Sequence, residues 1–249
     1  MRETQTRAAS RRNPGTGVQE GTGRPLVRLD SVSKEYRRDG VPVQALRAVD
    51  FEVRRGDFVA VMGPSGSGKS TLLHILGLLD ADYEGRYELA GRVVSGCSGD
   101  ELARVRNREI GFVFQTFHLL PGLTILENAE LPALYARDRD AEACRDAARR
   151  RLLQMGLENR LDHRPTQLSI GQRQRAAIAR ALVNEPSLVL ADEPTGALDS
   201  KTAQEILGIF AELHAEGATI ALVTHDPEVA AAAERVIHVR DGEIHDGAL

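Results

Sequence analysis

With 249 residues, the chain is long enough for one large α/β domain with a sizeable core, and a second full domain is not expected. The composition is that of an ordinary globular protein, with 42% hydrophobic and 27% charged residues and a formal net charge of -4. This mildly acidic balance disfavours electrostatic binding to nucleic acid, so no nucleic-acid partner is expected.

The first segment, residues 1–24, is polar and rich in Arg, Gly and Thr, and it lacks the apolar stretch of a secretory signal. The sequence therefore predicts a disordered tail over 1–24 and one folded unit over 25–249. The arginines leave open a contact with anionic lipid or a targeting role for this tail. No stretch approaches the roughly 20 apolar residues of a bilayer-spanning helix, so any membrane contact is expected through a partner.

Folding signals begin with the extended pattern of residues 26–29, which a polar loop follows, and with the apolar and charged alternation of 49–53. These segments predict an N-terminal antiparallel β region. A buried-type strand over 57–62 then runs into a glycine-rich loop and an apolar helix over 70–79. A phosphate site requires strand, loop and helix in this order.

From Gln115 to about Asn184 the pattern becomes helical, with apolar residues at helical spacing over 141–155 and 171–183. This pattern predicts a helical subdomain over about 116–184 that is inserted into the rest of the fold.

After this insertion, 187–191 and 219–224 have the pattern of short buried strands, and 200–216 that of an amphipathic helix closed by Gly217. The final segment, 235–244, predicts a hairpin whose Asp-Gly pair forms a type I′ turn. Strands alternating with helices predict an α/β fold with a mainly parallel sheet and helices on both faces.

The glycine-rich loop, residues 63–70, reads Gly-Pro-Ser-Gly-Ser-Gly-Lys-Ser and fits the P-loop pattern. Its glycines let several backbone N–H groups point at phosphate oxygens, and the start of the next helix adds positive potential. Lys69 supplies a point charge, and the Ser70 hydroxyl is expected to bind Mg²⁺. The residues expected to bind the ATP phosphates are Gly63, Ser65, Gly66, Ser67, Gly68, Lys69, Ser70 and Thr71.

Two adjacent carboxylates, Asp192 and Glu193, follow the strand predicted over 187–191. Ligands of parallel sheets bind at this carboxyl end of the strands. Asp192 can hold Mg²⁺ through water, and Glu193 is suited to accept a proton from an attacking water. Alone, such a pair is more often an exposed turn or a helix cap, but beside a P-loop it predicts the second half of a nucleotide site.

Together with the segment 168–172, Leu-Ser-Ile-Gly-Gln, ahead of a helix, these motifs resemble the ATPase domain of ABC transporters. The resemblance covers nearly everything from residue 26 to the C-terminus. It matches Gln115 to the family's Q-loop glutamine, Asp199 to its D-loop and His225 to its switch histidine. Tyr36 lies where the family places an aromatic ring that stacks on adenine, although a lone loop tyrosine is as often a packing residue.

The resemblance implies a head-to-tail dimer in which ATP lies between the P-loop of one subunit and the signature segment of the other. Ser169 and Gly171 would then donate to the γ-phosphate across the interface. Glu193 would activate water, while His225 and Mg²⁺ would stabilise the transferring phosphoryl group. Gln115 is expected to act both in catalysis and as a ligand of Mg²⁺.

Within the family, the segments 111–121 and 191–199 look like the lipoprotein-release and macrolide-export ATPase group. This implies a homodimer that powers an integral-membrane permease at the cytoplasmic face of the inner membrane, for export or extraction. One departure stands out, because the family's signature usually has glycine where this chain has Ile170. A β-branched side chain resists positive φ, so isoleucine is harmless only if this position takes ordinary helical angles.

Two other functions fit parts of the pattern. A DNA-repair or chromosome-organising ATPase would need long coiled-coil arms between the P-loop and the signature, where no sustained heptads occur. A signalling ATPase of the cell-division type, which regulates a membrane partner without transport, stays open. The apolar residues just after the Q-loop are expected either to receive a permease helix or to pack in the core, and they are Phe117, Leu119, Leu120 and Leu123.

Overall fold

A computed structural model describes residues 24–38, 41–136 and 140–246, and it contains two sheets and seven α-helices within these ranges. The strands are β1 (Val27–Arg38), β2 (Val41–Val53), β3 (Phe58–Met62), β4 (Glu84–Leu89), β5 (Arg92–Val93), β6 (Ile110–Phe114), β7 (Leu188–Asp192), β8 (Ile220–Val223), β9 (Arg235–Arg240) and β10 (Glu243–Asp246). The helices are α1 (Lys69–Leu76), α2 (Gly99–Glu109), α3 (Ile125–Ala136), α4 (Ala141–Gln154), α5 (Ile170–Leu182), α6 (Ser200–Ala215) and α7 (Pro227–Ala230). The predicted tail, 1–24, lies outside the described residues except for its last residue.

The antiparallel sheet, in the order β2-β1-β4-β5, confirms the predicted N-terminal β region. The polar loop expected after residue 29 is wrong, because β1 continues to Arg38 through register shifts such as the one between Leu29 and Val32. Ser31 takes a left-handed φ of 49° and its N–H donates to Asp50 Oδ1 at 2.7 Å. Bulges and cross-strand polar contacts thus keep this polar segment within the sheet.

The second sheet, in the order β10-β9-β3-β8-β7-β6, is parallel except for the β9–β10 pair and confirms the mainly parallel sheet of the prediction. Asp192 at the end of β7 pairs with Phe114 of β6 on one side and with Val223 of β8 on the other. Because the strands are parallel, their carboxyl ends meet at one edge, where β3 also leads into the P-loop. This edge positions the candidate site.

Three helices, α3, α4 and α5, pack together over the region predicted to be helical, with Cys144, Leu152 and Ile178 in their common core. The helical pattern was expected from Gln115, but α3 begins only at Ile125. The intervening loop has left-handed φ values at Phe117 and His118, which no helix accepts. The division into subdomains stays a prediction.

The helix expected over 70–79 ends at Leu76, because Gly77 caps it and Leu78 takes a left-handed φ of 55°. The strands β4 and β5 and the helix α2 were not predicted at all. The start of α2 carries a signal that the sequence analysis missed, since Ser98 and Glu101 form a capping box in which each side chain bonds the other's backbone N–H.

The C-terminal hairpin has the predicted type I′ turn, with φ of 50° at Asp241 and 82° at Gly242. Both cysteines, Cys97 and Cys144, are free thiols. Within the described residues, no helix is long and apolar enough to cross a membrane.

Candidate nucleotide site

The P-loop backbone has the shape that its glycines permit and other residues do not. Gly66 and Gly68 have φ of 79° and 111°. A Cβ on Gly68 would lie 2.5 Å from the carbonyl oxygen of Ala45, and one on Gly63 would lie 2.1 Å from that of Val239. Glycine at these positions therefore lets the loop pass directly beside two other backbone segments.

Lys69 opens α1 and turns its side chain back over the loop. Its ammonium group donates to the carbonyl oxygens of Gly63 at 2.7 Å and Pro64 at 2.8 Å. An ammonium group has three protons, so one remains to donate to a bound anion. The lysine thus stabilises the loop and also presents charge to the space that the loop encloses.

The residues between these glycines fit a phosphate group. Ser67 is 4% exposed, and its Oγ has no hydrogen-bond partner among the described residues. The N-terminus of α1, where Ser70 stands at the second helical position, contributes the positive end of the helix dipole. Hydrogen-bond donors without a partner at the N-terminus of a helix can be satisfied by an oxyanion.

The end of β7 supplies the acidic half of the site. Burial and the neighbouring charge of Glu193 raise the pKa of Asp192 above its usual value. The charges of the nearby His74 and Lys69 lower the pKa of Asp192, but by less. A half-buried carboxylate in this position gains from a cation close by, which suits a ligand of Mg²⁺.

Glu193 is held by the segment that follows β8. Its Oε1 lies 2.7 Å from Nδ1 of His225 and accepts from the His225 N–H at 3.0 Å, while Oε2 accepts from the Thr224 hydroxyl at 3.2 Å. Its backbone takes a left-handed φ of 44°. The hydrogen bond and the charge of Glu193 raise the pKa of His225, whose imidazole is largely exposed. This pair orients the carboxylate.

A cleft of about 690 Å³ lies between the P-loop and these acids. The predicted residues that line it are Gly63, Ser65, Gly66, Lys69, Ser70, Asp192, Glu193 and His225. Sequence reasoning missed His238 of β9, which also lines the cleft, and Thr224, which holds Glu193. Pairing of β9 with β3 places His238 beside the P-loop, and a long-range register of this kind leaves no local signal.

Other predicted site residues lie beside the cleft or away from its lining. Gln115 follows β6, and its amide packs against Gly196, where a Cβ would lie 2.6 Å from Nε2. The phenol of Tyr36 donates to Asp80 Oδ2 at 3.0 Å, just beyond the end of α1. Asp199 caps α6 by accepting from the backbone N–H and the hydroxyl of Thr202.

The signature segment forms the start of α5. Ser169 is the N-cap and shares a capping box with Gln172. Ile170 is the first helical residue, it is 44% exposed, and it is not among the residues with positive φ. A Cβ on Gly171 would lie 2.6 Å from Cγ2 of Thr202 in α6. The position of Ile170 therefore needs only ordinary helical angles, whereas Gly171 is required by a close approach.

Replacing Ile170 with glycine is expected to leave ATP hydrolysis within about threefold of the parent rate. The backbone needs no special angle there, and glycine lowers the helix propensity of this first helical position only modestly. Gly171→Ala, the matched variant one residue on, is expected to lose more activity because its methyl group meets Thr202. Steady-state phosphate release from both variants checks this. A hundredfold loss in Ile170→Gly would show that the isoleucine side chain makes an essential contact.

Comparison with known families identifies the family of the chain. The family described as ABC transporter matches residues 46–196, which include the P-loop, the signature segment and the acid pair. The chain belongs to the ABC transporter family. Its α/β architecture and the cleft at the strand ends are those of the family's ATP-binding cassette.

Relatives fall into two lengths. The chain is 49% identical over 219 residues to the uncharacterized ABC transporter ATP-binding protein YvrO of Bacillus subtilis, covering 88% of this chain and 95% of YvrO. It is 51% identical over 222 residues to the macrolide export ATP-binding/permease protein MacB of Marinobacter nauticus, covering 89% of this chain. That match spans only 34% of MacB, so the chain has about a third of the length of these export relatives.

Solved structures agree with the fold. The dimeric structure of MJ0796, a bacterial ABC transporter cassette, superposes with a TM-score of 0.81 at 45% identity and covers 88% of this chain and 97% of that one. A post-hydrolysis state of the same cassette, bound to ADP and phosphate, also has a TM-score of 0.81, at 43% identity over 89% of this chain and 98% of that one. The predicted ATP-binding cassette fold is confirmed.

Proposed function

We propose that the chain is the ATP-hydrolysing subunit that drives an integral-membrane permease from the cytoplasmic face of the inner membrane, for export or extraction of a substrate. The main observation behind this proposal is that Lys69 of the P-loop lines the same cleft as Asp192 and Glu193. Phosphate binding and activation of water require these two halves to meet. The family likeness to macrolide-export proteins supports the export direction.

ATP would bind with its phosphates in the P-loop and its base beside Tyr36. The loop N–H groups and the free proton of Lys69 would donate to the phosphate oxygens. Ser70, Asp192 and Gln115 would hold Mg²⁺, which supplies charge neutralisation on the phosphates.

Glu193 would accept the proton of the attacking water. Its carboxylate is oriented by Thr224 and by His225, so little reorganisation is needed when the water is deprotonated. His225 is mostly exposed and can also turn toward the transferring phosphoryl group. Gln115, which packs on Gly196 close to Glu193, would help to position the water.

A second copy of the chain would complete each site. Ser169 and Gly171 stand at the N-terminus of α5 and do not line the cleft of their own chain, while Asp199 starts α6 beside them. A helix N-terminus donates to anions, so a partner's nucleotide is a suitable ligand for it. The structure of MJ0796 is dimeric, which supports a dimer of this chain.

The permease would dock in a groove of about 830 Å³ that α2, α3, β6 and α5 enclose, with Phe112, Phe114 and Tyr135 on its walls. Tyr135 is 74% exposed. None of the four apolar residues predicted for docking lines this groove, and Leu119 packs against the helical core. Leu120, which is 49% exposed, is the member of that cluster that remains free for a partner.

Replacing Tyr135 with aspartate is expected to abolish copurification of the permease from native membranes, because a charge would be buried in the apolar contact at the wall of the groove. Leu153→Asp is the matched control, since Leu153 is 47% exposed on α4 and away from the groove. Both variants are expected to keep the parent melting temperature. Normal copurification of Tyr135→Asp would place the permease contact elsewhere.

The function itself is tested by identifying the copurified permease and reconstituting the complex in vesicles with ATP and Mg²⁺. ATP-dependent movement of a substrate across the bilayer is expected. Hydrolysis that changes the partner's conformation without any movement would instead support the signalling ATPase of the cell-division type.

A further inference from the structure

A buried lysine lies beside the ring assigned to adenine. Lys34, on β1, is 4% exposed. Its ammonium group donates to Asp80 Oδ1 at 2.9 Å, to Asp82 Oδ2 at 3.3 Å and to the carbonyl oxygen of Asp82. Three acceptors use all three ammonium protons, so the cation is fully satisfied by the segment that follows α1.

Stability alone is a poor explanation of this arrangement. A lysine loses rotamer freedom when it is ordered, and burying its charge carries a desolvation penalty that ion pairing only offsets. Burial lowers the pKa of Lys34, but the hydrogen bonds and charges of Asp80 and Asp82 outweigh that effect and raise it overall, so the group stays charged. An apolar side chain would fill the same space without these opposing effects.

The same cation and carboxylate hold Tyr36 at two points. The Lys34 ammonium lies 4.8 Å from the centroid of the Tyr36 ring and so covers one face of it. The phenol hydroxyl donates to Asp80 Oδ2 at 3.0 Å. The ring is therefore held both at its hydroxyl and at one face, while Tyr36 remains 39% exposed.

These contacts also tie the ring to the phosphate site. Asp80, which accepts the bond from Tyr36, lies just after the end of α1, and the first residue of that helix is Lys69. The Tyr36 ring is therefore fixed to the helix that presents the P-loop, although it comes from the other sheet. A nucleotide that spans base and phosphates would meet a ring that is already held in place relative to α1, which reduces the ordering cost of binding.

We propose that Lys34 and Asp80 are positioning residues that fix the Tyr36 ring as a stacking platform for the purine base of the nucleotide. This inference rests on the proposed function of the cleft. A ring held by a cation on one face offers its other face to the base, and stacking of this kind does not distinguish adenine from guanine. Lys34 and Asp80 therefore contribute affinity for purine triphosphates in general.

The test measures binding of ATP, GTP and tripolyphosphate by isothermal titration in Mg²⁺. Tyr36→Ala is expected to weaken ATP binding about 5- to 150-fold, the range observed for loss of one base stack. Lys34→Met and Asp80→Asn are expected to weaken ATP and GTP alike, each about three- to tenfold, because the ring stays but loses its support. Tripolyphosphate, which has no base, is expected to bind all variants as it binds the parent.

A double-mutant cycle separates positioning from general structure. In the Tyr36→Ala background, Lys34→Met and Asp80→Asn are expected to cause no further loss of ATP affinity. Arg28→Met is the matched control on the same strand, because it removes an exposed cation paired with Asp30 and is expected to leave ATP affinity unchanged. If Lys34→Met does not fold, the cycle is measured with Asp80→Asn alone, since asparagine keeps the shape of the aspartate side chain and one acceptor oxygen.

The inference would be overturned if Lys34→Met and Asp80→Asn weakened ATP binding as much in the Tyr36→Ala background as in the parent. It would also be overturned if these two substitutions weakened the binding of tripolyphosphate. An unchanged ATP affinity in Tyr36→Ala itself would overturn both the inference and the assignment of the ring to the base, while leaving the phosphate site intact. Failure of the proposed function is recognised separately, because the parent chain would then bind neither ATP nor tripolyphosphate.

Discussion

Replacing Glu193 with glutamine is expected to lower the rate of ATP hydrolysis by about 10²- to 10⁴-fold, the typical loss when a general base is removed. Glutamine keeps the length of the side chain and an oxygen that can accept from the His225 N–H. Its amide can still meet the hydroxyl of Thr224. The fold and ATP binding should therefore survive, and only the chemical step should slow.

Since hydrolysis would reopen the ATP-bound dimer, Glu193→Gln is also expected to accumulate as a dimer with ATP and Mg²⁺ on size-exclusion chromatography. Glu216→Gln, an exposed glutamate at the end of α6, is the matched control and should stay monomeric and active. Near-parent turnover by Glu193→Gln would mean that another residue or the substrate phosphate takes the proton.

The phosphate half of the site was predictable because all of its information is local. A P-loop is one continuous segment, so residues 63–70 carry both the turn chemistry and the charge, and the structure places most of them around one cleft. The acids were predictable for a related reason: Asp192 and Glu193 end an apolar strand, and parallel strands end at a common edge.

The contacts that support the site were not predictable, because they join segments far apart in the chain. Lys34 meets Asp80 across a separation of 46 residues, and Glu193 meets His225 across 32. A lone lysine in a polar segment has the pattern of a solvated face, and only the packed structure shows that Lys34 is buried against Asp80. The full length of β1 was also not predictable, because its bulges interrupt the two-residue alternation by which a strand is recognised in a sequence.

The signature segment shows where sequence leaves a question that backbone geometry answers. The sequence offers no means to tell a first helical residue from a left-handed turn residue at Ile170. The structure gives Ser169 extended angles and a cap bond from Gln172, which places Ile170 inside the helix. Glycine is needed one residue later, where the backbone of α5 approaches Thr202 of α6.

Replacing Lys69 with alanine is expected to weaken ATP binding about 10- to 150-fold, the effect of losing a hydrogen bond to a charged group. Alanine is a good first residue for α1, so the helix should persist. The carbonyl oxygens of Gly63 and Pro64 lose their donor, which further loosens the loop. Titration of ATP and of tripolyphosphate should show the same loss, since Lys69 contacts no base.

Lys201→Ala is the matched control, because Lys201 is an exposed lysine of α6 and should bind ATP as the parent does. An ATP affinity for Lys69→Ala within about threefold of the parent would place the phosphates outside the P-loop. The double variant Lys69→Ala, Glu193→Gln sharpens the test. If ATP held by Lys69 is what closes the dimer, this variant should not accumulate as a dimer, at ATP concentrations where Glu193→Gln alone does.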